Sequence, residues 1–217
     1  DEQNGLVLKL VLTGLEGGHS GSEIDKEHAN ANIEMGRLLK YLLGQNEFGI
    51  VSLAGGLKDN AIPRECTATI LVAPEQKETI LSDIRTMEQI LKKEYEVSDP
   101  NVRIDVTEEG EKEASCLNVI SMTKILFYLR NVPNGVIHMS KVMPGLVETS
   151  LNAGIMNLTG EAFEMVSSVR SSVSSRKEEL GDRLEYLAEF LGGEIEINGS
   201  YPAWEYRSDS EIRKGIS

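Results

Sequence analysis

Leu6-Val7-Leu8-Lys9-Leu10-Val11-Leu12 runs into Thr13-Gly14, and that junction decides the fold class. A short run rich in Leu and Val that stops at a Gly-rich turn reads as a strand, with a helix to follow. Met35, Leu38, Leu39, Leu42 and Leu43 then recur at helical spacing before Gly44, and Ser22-Glu23-Ile24-Asp25 has the Ser-x-x-acid pattern of a capping box. Residues 50–53 and 66–73 read as paired strands around a turn-forming stretch at 55–63. Pro74 suits the first position of a helix striped by Ile80, Ile84, Met87 and Leu91. The alternation Val102-Arg103-Ile104-Asp105-Val106 supplies a further strand, so the first half reads β-α-β-β-α-β.

From Glu111 a similar order begins again. Val119, Met122, Leu126 and Leu129 fall on one helix face, and Pro133-Asn134-Gly135 breaks the chain. Residues 147–158 and 162–169 read as strands joined across Thr159-Gly160-Glu161, with the piece at 136–138 the weakest element. Ser175-Arg176-Lys177-Glu178 reads as the cap of a helix striped by Leu180, Leu184, Leu187 and Leu191, and residues 194–197 as a last strand. The expected class is α+β: two β-α-β-β-α-β-like (ferredoxin-like) halves, 1–110 and 111–200, with an antiparallel sheet and helices on one face. Duplication of the halves is a hypothesis about shape, motivated by element order without a residue-level repeat. Such folds host many functions, so chemistry has to be read from particular residues.

Composition narrows the classes. Among 217 residues, 22 Lys plus Arg stand against 35 Asp plus Glu, a formal charge of −13. That excess repels phosphate backbones, and no basic cluster offsets it locally, which argues against a nucleic-acid partner. Lys9 interrupts the longest apolar stretch far short of the roughly 18 residues that a membrane span needs, so no membrane partner is expected. Two cysteines, Cys66 and Cys116, fit a reducing compartment better than a disulfide-stapled domain, and the cytoplasm is the expected location. The chain opens Asp1-Glu2-Gln3 without an initiator Met, which reads as a fragment of a longer protein.

Three segments could carry chemistry. Gly17-Gly18-His19-Ser20-Gly21 joins the first strand to the first helix, where glycines let the backbone come close to a ligand. A histidine there can donate a hydrogen bond to a developing oxyanion; the competing reading is a tight turn with an exposed ring. Neither Gly-Lys-Ser/Thr nor Gly-x-Gly-x-x-Gly is met, which argues against phosphate binding. Asn60-Ala61-Ile62-Pro63-Arg64-Glu65 lies between strands, where an amide and a guanidinium could recognise a carboxylate or carbonyl, or where Pro63 simply makes a polar turn. Arg170, among Ser167, Ser168, Ser171 and Ser172, is either solvated or a bidentate carboxylate clamp.

His19, His28 and His138 form neither His-Glu-x-x-His nor His-x-Asp, so no zinc site assembles from them. Glu108-Glu109-Gly110 reads as a solvated linker between the halves rather than a catalytic pair. The cysteines read as structural thiols, and no Gly-x-Ser-x-Gly elbow marks a serine hydrolase.

Five segments in order complete a pattern: Leu15-Glu16-Gly17-Gly18-His19-Ser20-Gly21, Asn60-Ala61-Ile62-Pro63-Arg64-Glu65, Asn134-Gly135-Val136-Ile137, Val147-Glu148-Thr149-Ser150-Leu151-Asn152 and Tyr201-Pro202-Ala203-Trp204. Together they resemble the inserted lid domain of aminoacyl-histidine dipeptidases, also called Xaa-His or cytosol nonspecific dipeptidases, in the zinc aminoacylase and carboxypeptidase superfamily. The resemblance spans nearly the whole chain. It implies an enzyme whose catalytic domain, with two zinc ions and a glutamate base, is split around this lid and lies outside residues 1–217. This chain alone is then expected to bind no zinc and to hydrolyse nothing, and 201–217 to be the connection returning to the catalytic domain.

By the same resemblance, His19 matches the lid histidine that stabilises the tetrahedral oxyanion, and Arg170 the arginine that grips the substrate's terminal carboxylate. Asn60, Arg64 and Asn152 are carried over as substrate-binding candidates. Ala203 departs from the Gly often found between Pro and Trp, which bears on the hinge. The implied partners are a dipeptide and the chain's own catalytic domain, and a homodimer is left open because such lids dimerise in some relatives and form internal pseudo-dimers in others. A reading from another class is a non-catalytic ferredoxin-like domain for effector binding or dimerisation. A third is an amidohydrolase acting on N-acyl amino acids.

Overall fold

The structure, a computed structural model, describes residues 2–160 and 162–199. The strands are β1 (Glu2–Thr13), β2 (Phe48–Gly55), β3 (Cys66–Val72), β4 (Arg103–Ser115), β5 (Gly135–Met139), β6 (Val147–Leu158) and β7 (Phe163–Ser171). The helices are α1 (Ala31–Leu43), α2 (Lys77–Glu94), α3 (Val119–Asn131) and α4 (Ser174–Phe190). All strand pairs are antiparallel in one sheet of order β4-β1-β3-β2-β6, with β5 and β7 both pairing β6. The expected α+β class, with helices backing an antiparallel sheet, is what forms.

Period-two alternation explains which face the helices cover. Leu6, Leu8, Leu10 and Leu12 of β1 and Cys66, Ala68, Ile70 and Val72 of β3 face the main core, while Val7 and Leu71 pack with Cys116 on the other face. Two irregularities let strands change parity without losing the face. A register shift between Ile50 and Ser52 keeps Phe48, Ile50 and Leu53 in the core, and one between Ala153 and Ile155 does the same for Leu151, Met156 and Leu158. Only three residue pairs, Leu53↔Leu158 to Gly55↔Met156, join β2 to β6. Helix packing reinforces that seam. A Cβ on Gly36 of α1 would lie 2.6 Å from the Leu129 Cβ of α3, so the two helices meet where only hydrogen fits.

Several local expectations need correction. The first helix starts at Ala31, not at the Ser22–Asp25 pattern, because Asn30 accepts the Asn32 and Ile33 N–H groups through its side chain. The earlier pattern forms only a 3-10 turn, Ile24–Lys26, ended by Glu27 at φ 53°. The acidic stretch at 108–113 is not a linker but part of β4, paired to β1 across the boundary drawn at 110/111. Its charges are tolerated because β4 is an edge strand whose exposed side chains meet water. Val119 opens α3 but is 73% exposed; the buried stripe is Met122, Ile125, Leu126 and Leu129. Helix α4 begins at Ser174 without a side-chain cap, so Ser175–Glu178 is not its box. Residues 194–197 form no strand, which leaves the second half without the closing element of the first. The expected turn residue Glu161 and the expected connection at 201–217 fall outside the described residues.

Candidate functional site

Residue 152 shows how the site is built. Leu151 points to the helices and is fully buried with Leu180 and Leu184 of α4. Its neighbour Asn152 points the other way and is also buried, at 1% exposure, because the segment between β2 and β3 folds over that face. The Asn152 Nδ2 group donates to Asp59 O (2.8 Å) and Ala61 O (2.9 Å). Ala61 in turn bridges His19 in an antiparallel pair, with Ser20 N–H on Asn60 O and Ile62 N–H on Gly18 O, both 2.9 Å. Two segments distant in sequence, β6 and residues 59–62, thus fix one loop. Directional bonds do this without hiding the ring: Ser20 is buried, His19 exposed.

A set of asparagines anchors the arrangement from below. Asn30 Nδ2 donates to Ala153 O at 3.0 Å and reaches Asn134 Oδ1 at 3.2 Å, while Asn134 Oδ1 accepts the Ala153 N–H at 3.0 Å. Asp99, fully buried, ties both ends of the His19 loop by accepting Glu16 N–H and Ala29 N–H, each at 2.9 Å. Buried groups of this kind are costly if left unpaired, and pairing them selects one loop geometry. Arg64, exposed, donates from Nε to Leu15 O at 3.1 Å and lays its aliphatic stem against Gly17. Asn60 is half-buried.

Arg170 arrives from β7. It pairs Ser150 of β6, so both side chains rise on the face that carries Asn152, away from the helices. Arg170 and His19 meet at Gly21. A Cβ there would lie 2.9 Å from the His19 Cε1 and 3.1 Å from the Arg170 Cζ, so ring and guanidinium are no further apart than the sum of those distances. Arg170 is exposed and forms no salt bridge among the described residues. An unpaired guanidinium beside an imidazole can hold an anion while the ring donates to a neighbouring oxygen.

The other two histidines have partners elsewhere. His28 Nδ1 lies 2.9 Å from Ser98 O, and His138 Nε2 lies 2.5 Å from Arg176 Nη1. Among the described residues no three His, Cys, Asp or Glu side chains gather to hold a metal ion. Burial pushes the thiols of Cys66 and Cys116 up, which makes both poor nucleophiles. No helix among these residues is long and apolar enough to cross a membrane. Of the sequence candidates, His19 and Arg170 come together, Asn60 and Arg64 flank them, and Asn152 lies beneath. Gly21 stands in the sequence only as part of the His19 segment and Glu23 only as part of an expected cap, while Asn30 and Asp99 are not among the candidates; Asn30 has a legible signal as an Asn before a helical stripe.

Residues 11–99 match the family described as peptidase dimerisation domain. More particularly, the chain is similar to part of two dipeptidases. It is 34% identical over 206 residues, 95% of its length, to the cytosol non-specific dipeptidase of Escherichia coli strain K12, and covers 42% of that protein. Its fold matches the crystal structure of aminoacylhistidine dipeptidase from Vibrio alginolyticus with a TM-score of 0.89 at 31% identity, over 96% of this chain and 42% of that one. The chain therefore spans less than half the length of either relative. The resemblance drawn from the sequence segments holds.

Proposed function

We propose that this domain is the lid of a zinc-dependent dipeptidase, presenting His19 to the scissile carbonyl and Arg170 to the substrate's terminal carboxylate. The observation that carries the reading is the meeting of those two side chains at Gly21 from opposite halves of the chain. In a dipeptide, one residue, about 3.8 Å from Cα to Cα, separates the scissile bond from the C-terminal carboxylate. Two groups packed against a single glycine suit that span and not a long peptide. When water attacks the peptide carbonyl, negative charge grows on its oxygen, and a donor aimed there stabilises the transition state more than the ground state. The Arg170 fork fixes the substrate's far end, which sets the carbonyl's position.

Asn60 offers its amide at the rim and Arg64 its remaining guanidinium donors. Asn152, with both Nδ2 hydrogens engaged, acts by positioning the segment at 59–61 and not by touching substrate. Among the described residues no three His, Cys, Asp or Glu side chains gather as a ligand set for zinc. On this reading the metal belongs to a separate catalytic domain, the location is the cytoplasm, and a homodimer forms through the domain, as the matched family's description supports.

His19→Ala in the full-length enzyme tests the reading. It is expected to lower kcat by about 10²–10³, the effect of one lost oxyanion donor, with metal content and melting temperature unchanged. An exposed histidine with no role would leave kcat at the wild-type value. The chain by itself is expected to hold no stoichiometric zinc and to hydrolyse no dipeptide; one tightly held equivalent with turnover would sink the division of labour.

A further inference from the structure

We propose that Gly21 and Glu23 are positioning residues that present the His19 ring as a neutral imidazole with its proton on Nε2. This rests on the reading of His19 as an oxyanion donor and says how the loop prepares it. The Gly21 backbone N–H donates to His19 Nδ1 at 3.0 Å. A backbone N–H can only donate, so Nδ1 must keep its lone pair, and the neutral ring then carries its hydrogen on Nε2. A cationic ring would carry hydrogens on both nitrogens and turn the Gly21 contact into donor against donor.

Glu23 fixes the other end of the residue. Its Oε2 accepts the His19 backbone N–H at 2.8 Å, and its own N–H donates to His19 O at 2.9 Å, so both main-chain groups of His19 are held by one residue. Both Glu23 carboxylate oxygens are engaged, Oε2 by that N–H and Oε1 by Lys26 Nζ at 2.9 Å, and those bonds hold the Glu23 carboxyl below the usual carboxylate range. A Cβ on Gly18 would fall 2.8 Å from Glu23 Oε2, so this glycine leaves room for the carboxylate. The result is a ring with one free donor, Nε2–H, clamped through the main chain and through Nδ1.

The test is a long-range proton–nitrogen correlation spectrum of the ¹⁵N-labelled chain at a pH where its histidines are neutral. His28 is an internal contrast, since Ser98 O faces its Nδ1 and requires the hydrogen there. His19 is expected with a fixed Nε2–H and His28 with Nδ1–H; a hydrogen on His19 Nδ1 overturns the proposal. In the full-length enzyme, Glu23→Ala is expected to lower kcat about 10- to 100-fold with little change in KM, as misplacement of a reacting group does. Glu23→Gln, which keeps an oxygen for the His19 N–H, is expected to retain most of the activity. Equal losses in the two variants, or none in Glu23→Ala while His19→Ala is impaired, overturn the positioning role. An unimpaired His19→Ala instead overturns the oxyanion reading and leaves the spectrum to judge the tautomer.

Discussion

Leu151 and Asn152 are neighbours in one strand, both buried, and they belong to two differently built halves of a layer. On the Leu151 side, helices cover the sheet with apolar side chains, an attraction without direction that tolerates some rearrangement. On the Asn152 side, the cover is a loop held by hydrogen bonds to carbonyls of residues 59 and 61, and through them to His19. Hydrogen bonds have direction, so that side fixes positions. The first surface supplies stability, and the second aims exposed side chains. If this division is right, substitutions on the two sides should separate stability from activity.

The largest effect is expected on the helix side. Leu39, fully buried in α1, is expected to cost about 2–5 kcal/mol on Leu39→Ala, from lost transfer energy plus the cavity left behind. Chemical denaturation measures it. At temperatures where the variant stays folded, the enzyme's kcat should be unchanged; a kcat loss in a folded variant would break the comparison.

Arg170→Ala comes next and belongs to the other side. It is expected to weaken kcat/KM on a free dipeptide by about 1.5–3 kcal/mol, the value of a charge-assisted contact, with the melting temperature unmoved because the side chain is exposed. A dipeptide amide, which lacks the carboxylate, is the control. The same fold-loss on both substrates would remove the clamp.

The helix side was the more legible of the two in the sequence. The stripes Met35, Leu38, Leu39, Leu42 and Ile80, Ile84, Met87, Leu91 announce buried faces directly, because apolar periodicity is what makes those faces. Strand parity was less legible, since the register shifts at Ile50/Ser52 and Ala153/Ile155 break alternation without leaving a composition cue. The acidic run in β4 misled for a related reason: an edge strand needs only one covered face and admits charges that look like a linker. For the site, His19, Arg170, Asn60, Arg64 and Asn152 were reached through short segments. That Arg170 and His19 share the neighbourhood of Gly21 could not be, because β7 and the first loop come near one another only once the chain has folded. Asp99 and Asn30 act through backbone groups far away in sequence, a role that no local pattern encodes.

Asn152→Ala sharpens the contrast within a single strand. Losing both donors leaves Asp59 O and Ala61 O short of partners, at an expected cost of about 1–3 kcal/mol. The variant should also free the loop. Hydrogen exchange at the Ile62 N–H, which rests on Gly18 O, is expected to quicken more than exchange in α1. Uniform quickening across both would mean that Asn152 contributes only general stability.

The smallest effect concerns a polar contact on the helix side. Arg37 of α1 grips Glu94, the last residue of α2, through two hydrogen bonds, Nη1 to Oε2 at 2.5 Å and Nη2 to Oε1 at 2.8 Å. Those bonds hold the Glu94 carboxyl below the usual range, with partial burial opposing them and the nearby charge of Arg37 adding to them. A carboxyl whose folded value is depressed adds stability that is present above its unfolded value, about 4.3, and is lost as pH falls through the folded one. The Glu94 side chain is 43% exposed, so solvent screens the pair and its worth falls to about 0.2–1 kcal/mol. Glu94→Gln is therefore expected to lower stability by that small amount at pH 7 and to converge with wild type in denaturant melts as pH falls through the folded value. The sign matters as well as the size. If the variant's deficit grew as pH fell, or exceeded that of Asn152→Ala at pH 7, the helix-backed side would depend on directed polar contacts as much as the other does.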